Sequence, residues 1–253
     1  MIESCILDRY WPEGILFVTL LSEVSGAAVT EFPAIICTVD IALLTLVDDA
    51  LHVLLLKREL EPFAGSLALP GGYVHAQADH SAEDAAARVL REKAGITSPY
   101  LEQLATFSGP GRDPRGWSLS VAYCALLPAG MLAVDGVDRQ LRPVGRLPAL
   151  PFDHGRIVDA AVQRVRSKSQ YSSLPVYLCG EAFTLPQLQS VYEAVLGEPV
   201  NKVSFRRKME ELGMLEAIPG AQTSGGAHRP AQLYRLRREY RHALSLLDRG
   251  FNV

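Results

Sequence analysis

LPGGYVHAQADHSAEDAAARVLREKAGI, residues 69–96, joins two adjacent glycines to a polar loop and then to an alanine-rich segment that ends at another glycine. We predict a turn at Gly71 and Gly72, because glycine lets the backbone approach a ligand closely. Ser81 is suited to cap the helix, since its hydroxyl can accept hydrogen bonds from free backbone amides. Gly95 is a typical helix stop. This layout is suited to holding a phosphate-bound metal beside backbone amides.

The segments around this motif predict an α+β domain with a mixed sheet. Residues 34–47 and 51–60 are apolar, leucine-rich or β-branched runs separated by a short polar break, which is the pattern of a β-hairpin. Residues 117–127 alternate large apolar side chains on one face and predict another strand. A helix is expected from residue 153 to residue 167. We place this first domain at residues 33–168.

Length and composition indicate two domains in a reducing compartment. The chain has 253 residues, and 48% of them are apolar, which is enough to bury a substantial core. The four cysteines form no CxxC pair, which disfavours both a zinc ribbon and a disulfide framework. A reduced, cytoplasmic setting is therefore predicted.

Residues 1–32 form an N-terminal extension of unknown role. Its apolar run at residues 14–21 is too short to span a bilayer, and no basic cluster precedes it as in a signal peptide. We therefore expect no membrane partner. Three interpretations fit this run: an added strand, a dimer contact, or a misplaced translation start.

Charge is distributed unevenly along the chain. Residues 201–253 contain ten Lys/Arg and five Asp/Glu, a net charge of +5, whereas the whole chain carries −3. Such a basic segment fits either a solvated helical face or a surface that binds a polyanion. The residue pattern must separate these two interpretations.

The pattern of residues 169–253 predicts a winged helix-turn-helix domain. Its predicted elements are helices at 184–197 and 201–215, a loop-rich segment at 218–230 and a strand at 231–236. Thr184 and Gln187 occupy the positions of a capping box in the first helix. The second helix has a buried stripe of Phe205, Met209 and Leu212. A helix, a basic helix and a hairpin in this order form a DNA-reading arrangement.

The opening stretch resembles the Nudix box, whose helix has the pattern Arg-Glu-apolar-x-Glu-Glu-x-Gly-apolar. The residues that match are Arg88, Leu90, Glu92, Gly95 and Ile96. Val89 and Lys93 stand where family enzymes have the glutamates that bind the catalytic metal, and His80 replaces the upstream glutamate. Magnesium prefers carboxylate oxygens, so we predict no metal, no catalytic residue and no hydrolysis. A different metal bound by His75, Asp79 and His80 is the alternative to a plain polar surface loop.

The altered box retains features that bind phosphate. GPGRDPRGW, residues 109–117, presents two arginines on a turn, and arginine binds phosphate in bidentate fashion. Trp117 fits either stacking on a base or a place in the core. In the Nudix resemblance, Arg58 ends a strand that faces the glycines. The predicted effector-binding residues are Arg58, Gly71, Gly72, Arg112, Arg115 and Trp117.

Several segments, in order along residues 33–240, resemble NrtR-type Nudix-related transcriptional regulators. They are the altered Nudix box, RDPRGWSLSVAY, FTLPQLQSVYEAVLG, FRRKMEELGML and RPAQLYRL. The resemblance implies an α/β/α Nudix sandwich that binds ADP-ribose without cleaving it, followed by the winged helix. It also implies a homodimer that binds operator DNA and represses genes of NAD metabolism, with ADP-ribose as effector and no required cofactor.

The predicted DNA-binding residues lie on the second helix and on the wing. On the helix they are Lys202, Ser204, Arg206, Arg207 and Lys208, and on the wing they are His228 and Arg229. An arginine in an exposed hairpin fits a solvated side chain equally well.

Two other functions compete with this one. A Nudix hydrolase acting on ADP-ribose or a related nucleoside diphosphate would share the fold, but fold alone does not imply function. An adaptor whose basic tail docks on protein or RNA would show no sequence preference in DNA.

Overall fold

A seven-stranded sheet is built around the two predicted apolar strands. The computed structural model describes residues 34–98, 100–132, 136–222, 230–240, 244 and 246. β1 (Ile36–Val47) and β2 (Ala50–Lys57) form the predicted hairpin. Asp48 and Asp49 turn the chain with positive φ angles of 48° and 56°, a conformation that aspartate tolerates better than most residues.

The remaining strands make the sheet mixed, as predicted. They are β3 (Leu67–Ala68), β4 (Gly71–Tyr73), β5 (Tyr100–Asp113), β6 (Gly116–Leu126) and β7 (Arg139–Pro143). The order is β3-β2-β1-β6-β5, while β4 pairs with β1 and β7 pairs with β2. β1 and β6 run parallel, and the other pairings are antiparallel.

Helices cover both faces of this sheet. α1 (Ala82–Val89) continues into a π-helical turn, Leu90–Ala94, and stops at Gly95, whose φ is 68°. α2 (His154–Ser169) begins and ends near the predicted residues. Successive side chains of β1 point to opposite faces, so Ile41 and Leu43 pack with α1 while Ala42 and Leu44 pack with α2. The predicted α/β/α sandwich is confirmed.

The prediction of a turn at Gly71 and Gly72 was wrong. Both glycines lie in β4 and pair with Asp40 and Val39 of β1. A Cβ on Gly71 would come within 2.0 Å of Asp40 Oδ1, so glycine is needed here for a close side-chain contact and not for a turn.

The C-terminal elements form the predicted winged helix. α3 (Leu185–Leu196) has the predicted capping box of Thr184 and Gln187. α4 (Lys202–Leu212) is capped by Asn201 and ends at Gly213, so it is shorter than the predicted helix at 201–215, and residues 214 and 215 are not helical. β8 (Leu215–Gln222) and β9 (Gln232–Leu236) pair as an antiparallel hairpin. Its first strand occupies part of the segment that we predicted as helix and loop, because Gly213 adopts a left-handed conformation that redirects the chain.

The winged helix packs directly on the end of α2. A buried 3₁₀ turn, Leu174–Leu178, follows α2 and joins the same core as α3. The Tyr192 hydroxyl donates to the Ser172 carbonyl over 2.9 Å. No helix in the described ranges is long and apolar enough to cross a membrane. The extension at residues 1–32 lies outside the described residues.

Candidate functional site

The Nudix-box helix faces β4 through Val89 and Lys93. Val89 is fully buried, and its Cγ2 lies 3.0 Å from the position that a Cβ on Gly72 would occupy. Lys93 Nζ lies 3.8 Å from that same position and donates to the Gly71 carbonyl. The two positions that carry metal-binding glutamates in Nudix enzymes therefore both lie against β4. One contributes a methyl group and the other an ammonium group.

Beneath β4 lies a buried polar network centred on Asp40. Arg112 Nη2 donates to Asp40 Oδ2 over 2.8 Å, and the Ser120 hydroxyl donates to the same oxygen over 2.6 Å. His154 Nε2 lies 3.3 Å from Asp40 Oδ1. Burial alone raises the pKa of Asp40, but His154, Ser120 and Arg112 together lower that pKa well below its usual range.

The same network reaches the beginning of α2. The Leu69 amide donates to His154 Nδ1 over 3.0 Å, so that ring nitrogen is unprotonated and the Nε2 proton points to Asp40. Arg112 Nε lies 2.9 Å from Oδ1 of Asp153, the residue before α2, although the pair lacks hydrogen-bond alignment. The network thus joins β1, the end of β5 and the helix that leads to the winged domain.

Arg112, predicted to bind phosphate, is instead paired with carboxylates of the protein in this structure. Arg112 is 9% exposed, and its guanidinium is held between Asp40 and Asp153. The buried carboxylate of Asp40 and the partly buried carboxylate of Asp153 supply the paired charge that a buried guanidinium needs. The residue is a structural member of the network.

The side chain of Arg115 has different hydrogen-bonding partners from that of Arg112. It donates to both carboxylate oxygens of Asp113, over 3.0 and 2.8 Å, and to the Tyr73 hydroxyl. The hydrogen bonds that Arg115 donates to Asp113 raise the pKa of Arg115, although burial opposes this shift. Arg115 is half-buried and lies beside β4, which keeps it within the predicted site.

Arg58 directly follows the last residue of β2. Its Nε donates to the Pro62 carbonyl over 2.9 Å, its Nη2 donates to the Leu60 carbonyl over 3.2 Å, and its guanidinium lies 4.9 Å from the centre of the Phe152 ring. Burial lowers the pKa of Arg58, and the positive charge of Arg115 lowers it further. The structure therefore brings Arg58, Arg115 and the two glycines together.

Trp117 is not a core residue. Its side chain is 43% exposed at the start of β6, two positions after Arg115. An exposed indole is available for stacking on a planar ligand. Its predicted contact with a ligand stays a prediction.

The loop before α1 is held by Arg88. This guanidinium donates to both oxygens of Asp79, over 2.8 and 2.7 Å, and to the Tyr73 carbonyl over 2.9 Å. Asp79 also accepts from the His75 amide over 2.7 Å. The carboxylate is thus committed to fixing the loop, and His80 is exposed. In the parts of the chain that the structure describes, no three His, Cys, Asp or Glu side chains are grouped to hold a metal ion.

The second helix of the winged domain presents a basic outer face. Phe205, Met209 and Leu212 are 0%, 3% and 8% exposed, so the predicted buried stripe is confirmed. The exposed basic residues are Lys202, Arg206 and Arg207. Ser204 is half-buried, and its backbone amide donates to Oδ1 of the capping residue Asn201 over 3.0 Å.

Lys208, predicted to face DNA, lies on the buried side of α4 in this structure. Lys208 is 7% exposed and lies beside the apolar stripe, at the edge of the face that packs against the domain. Burial lowers the pKa of its ammonium group. His228 and Arg229, predicted on the wing, lie outside the described residues.

Sequence reasoning missed Asp40, Tyr73 and His154. Asp40 had a signal, because it is the one acidic residue inside the apolar run at 34–47. A charged residue within a buried strand requires a partner. Neither Tyr73 nor His154 carries such a signal, since each meets its partner only in the folded chain.

Two family models match successive parts of the chain. The NUDIX domain model matches residues 38–143, and the model of the NrtR DNA-binding winged helix domain matches residues 175–236. Together they cover the sheet with its first helix and the whole described winged helix.

Three relatives are informative. The ADPR responsive transcriptional repressor NtrR of Acinetobacter baylyi is 38% identical over 212 residues, which is 81% of this chain and 84% of that protein. The crystal structure of Shewanella oneidensis NrtR complexed with a 27mer DNA matches with a TM-score of 0.79 at 36% identity, covering 85% of this chain and 99% of that one. An ADP-ribose pyrophosphatase of Methanocaldococcus jannaschii is 34% identical over 108 residues, which is 42% of this chain and 63% of the enzyme.

Proposed function

Because the chain belongs to the NrtR family of Nudix-related transcriptional regulators, we propose that it is an ADP-ribose-responsive repressor of genes of NAD metabolism. The observation that carries this proposal is the 38% identity to the Acinetobacter baylyi repressor, which extends over 84% of that protein. A shared single domain would support only the fold, whereas this similarity includes both the effector domain and the winged helix.

We assign effector binding to the Nudix-like domain, at residues 33–168. The residues proposed to contact ADP-ribose are Arg58, Gly71, Gly72, Arg115 and Trp117. Arg112 leaves this set because its charge is already paired with Asp40 and Asp153. Guanidinium groups beside an accessible strand favour a phosphate ligand.

We assign operator binding to the winged helix, at residues 169–253. α4 supplies Lys202, Arg206 and Arg207 on its exposed face, with Ser204 at the side. A homodimer would present two such helices to half-sites separated by about one turn of the duplex. His228 and Arg229 are proposed contacts of the wing. A repressor of this kind acts in the cytoplasm.

The test is binding of promoter fragments against scrambled DNA of equal length, with and without ADP-ribose. We expect preference for a near-palindromic operator and an operator affinity that changes at saturating ADP-ribose. By linkage, operator DNA should then change the affinity for ADP-ribose by the same factor. Equal binding of both DNAs would favour the adaptor function. Operator binding that ADP-ribose does not change would leave a DNA-binding protein without this effector.

The second candidate is a Nudix hydrolase. The 34% identity to an ADP-ribose pyrophosphatase over 108 residues favours it. Against it stand the methyl groups of Val89 and the ammonium group of Lys93 at the positions of metal-binding glutamates. We therefore propose a regulator that does not cleave its effector.

A further inference from the structure

The Nudix-type site does not offer the ligands of a divalent cation. Val89 is an apolar, fully buried residue, and Lys93 places a positive charge beside Gly71 and Gly72. Magnesium requires hard oxygen ligands, mostly carboxylates. An ammonium group at this position would also repel the ion. The residues present do not fit the metal that Nudix enzymes use.

The carboxylates around this site are held by protein cations. Arg112 donates a hydrogen bond to Asp40. Arg88 donates through Nε and Nη2 to the two carboxylate oxygens of Asp79. Glu92, the acid retained from the Nudix box, forms a 3.3 Å ion pair with Arg88. Recruiting any of these groups to a metal would break an existing ion pair.

Two positively charged side chains at the site, Arg58 and Lys93, form no ion pair with a carboxylate of the described residues. Arg88, Arg112 and Arg115 each form an ion pair with a carboxylate. Within the described residues, neither Arg58 nor Lys93 has a carboxylate oxygen within 4.0 Å. Arg58 and Lys93 also repel each other enough to help burial lower the pKa of Lys93. An anion between them would remove this repulsion.

We propose that the Lys93 ammonium is a built-in cation for the diphosphate of the effector, and that Lys93 and Arg58 bind this diphosphate without a divalent metal. This inference rests on the proposed function, because it concerns the same ADP-ribose site. An ammonium has three donors, and one of them is used on the Gly71 carbonyl. Two remain for phosphate oxygens. Arg58 donates to protein carbonyls through Nε and Nη2, so its Nη1 hydrogens remain available to a ligand.

The exchange of a metal for an ammonium also explains binding without cleavage. A metal both neutralises phosphate and lowers the pKa of a bound water, which makes the nucleophile. An ammonium neutralises phosphate but cannot coordinate and acidify water. Lys93 can therefore neutralise the charge of the phosphates, but it cannot generate the nucleophilic water.

Calorimetry of the full-length protein with ADP-ribose, in EDTA and in magnesium, tests this proposal. We expect the same affinity in both buffers for the wild type. Lys93→Ala should weaken binding about tenfold to a hundredfold, the loss of one charged phosphate contact. Lys93→Arg should retain part of the affinity, and Lys93→Glu should weaken it further than Lys93→Ala because it adds repulsion.

Arg91→Ala is the matched control. Arg91 is an exposed cation in the same helical turn, two residues from Lys93 and so on the opposite face. Arg91→Ala removes one positive charge, as Lys93→Ala does, and should leave the affinity for ADP-ribose unchanged. Thermal unfolding of each variant reports whether the domain is intact, and an unfolded Lys93→Ala leaves the decision to Lys93→Arg and to the metal dependence of the wild type.

The outcomes separate this proposal from the proposed function. Wild-type binding that needs magnesium, or that is unchanged in Lys93→Ala, overturns the role of Lys93 while leaving an ADP-ribose-responsive regulator. Wild-type protein that binds no ADP-ribose in either buffer overturns both.

Discussion

Arg112 Nη2 lies 2.8 Å from Asp40 Oδ2, and both side chains are buried. Asp40 Oδ1 in turn approaches Gly71 so closely that a Cβ there would come within 2.0 Å of it. The pair therefore supports β4, the strand that carries Gly71 and Gly72. It also ties that strand to Asp153 at the beginning of α2.

Arg112→Ala should lower the free energy of unfolding by about 3 to 5 kcal/mol, because it removes the guanidinium that pairs with the buried carboxylate of Asp40. Urea denaturation measures this change. Arg142→Ala removes an exposed arginine of β7 that bonds only Gln140 among the described residues, and should change stability little. Equal stability of the two variants would contradict a structural role for Arg112.

Arg58→Ala should weaken ADP-ribose binding by about 1.5 to 3 kcal/mol, roughly tenfold to a hundredfold, because it removes a charged phosphate contact. Arg115→Ala should have a smaller effect, since Asp113 already neutralises the Arg115 charge. Calorimetry of both variants with ADP-ribose shows which substitution causes the larger loss of affinity. A larger loss in Arg115→Ala would mean that this side chain leaves Asp113 to bind the ligand.

The wild-type protein should not cleave ADP-ribose in magnesium, because Val89 and Lys93 provide no carboxylate for the ion. Chromatographic separation of AMP from ADP-ribose after long incubation measures this. Multiple turnover that disappears on chelation would refute the prediction and favour the hydrolase.

Arg207→Ala should weaken operator binding by roughly 1 to 3 kcal/mol and reduce sequence preference, since Arg207 is 72% exposed on the outer face of α4. Lys202→Ala should weaken all DNA similarly and flatten the dependence of affinity on salt. Fluorescence anisotropy with operator and scrambled duplexes over a range of salt distinguishes the two. Arg142→Ala, far from α4 in sequence, serves again as control and should bind DNA as the wild type does.

Acid should destabilise the protein partly through Asp79. Hydrogen bonds from Arg88 lower the pKa of Asp79 from 3.8 to about 2, so the folded state binds this proton less readily than the unfolded chain. The stabilisation is complete above pH 3.8 and is lost as pH falls from there through about 2. Thermal unfolding of Asp79→Asn over this range should depend less steeply on pH than that of the wild type. Parallel curves would show that the ion pair adds no stability.

Local chemistry determined the elements of this fold. Ser81, Thr184 and Gly95 cap or end their helices as predicted, because capping involves only residues within one helical turn. The periodicity of Phe205, Met209 and Leu212 similarly identified the buried face of α4. The order of such elements along the chain was enough to predict both domains.

The partners of charged side chains were decided only by the tertiary structure. Arg112 and Arg115 are three positions apart and looked equivalent, yet Arg112 meets Asp40, 72 positions away, while Arg115 bonds Asp113 beside it. Gly71 and Gly72 were predicted to form a turn, but they form a strand because β1 supplies their hydrogen-bonding partners. Lys208 is buried although its neighbour Arg207 is exposed. Burial and charge pairing depend on which distant element packs beside a residue. The spacing of residues along the sequence does not show which elements pack together.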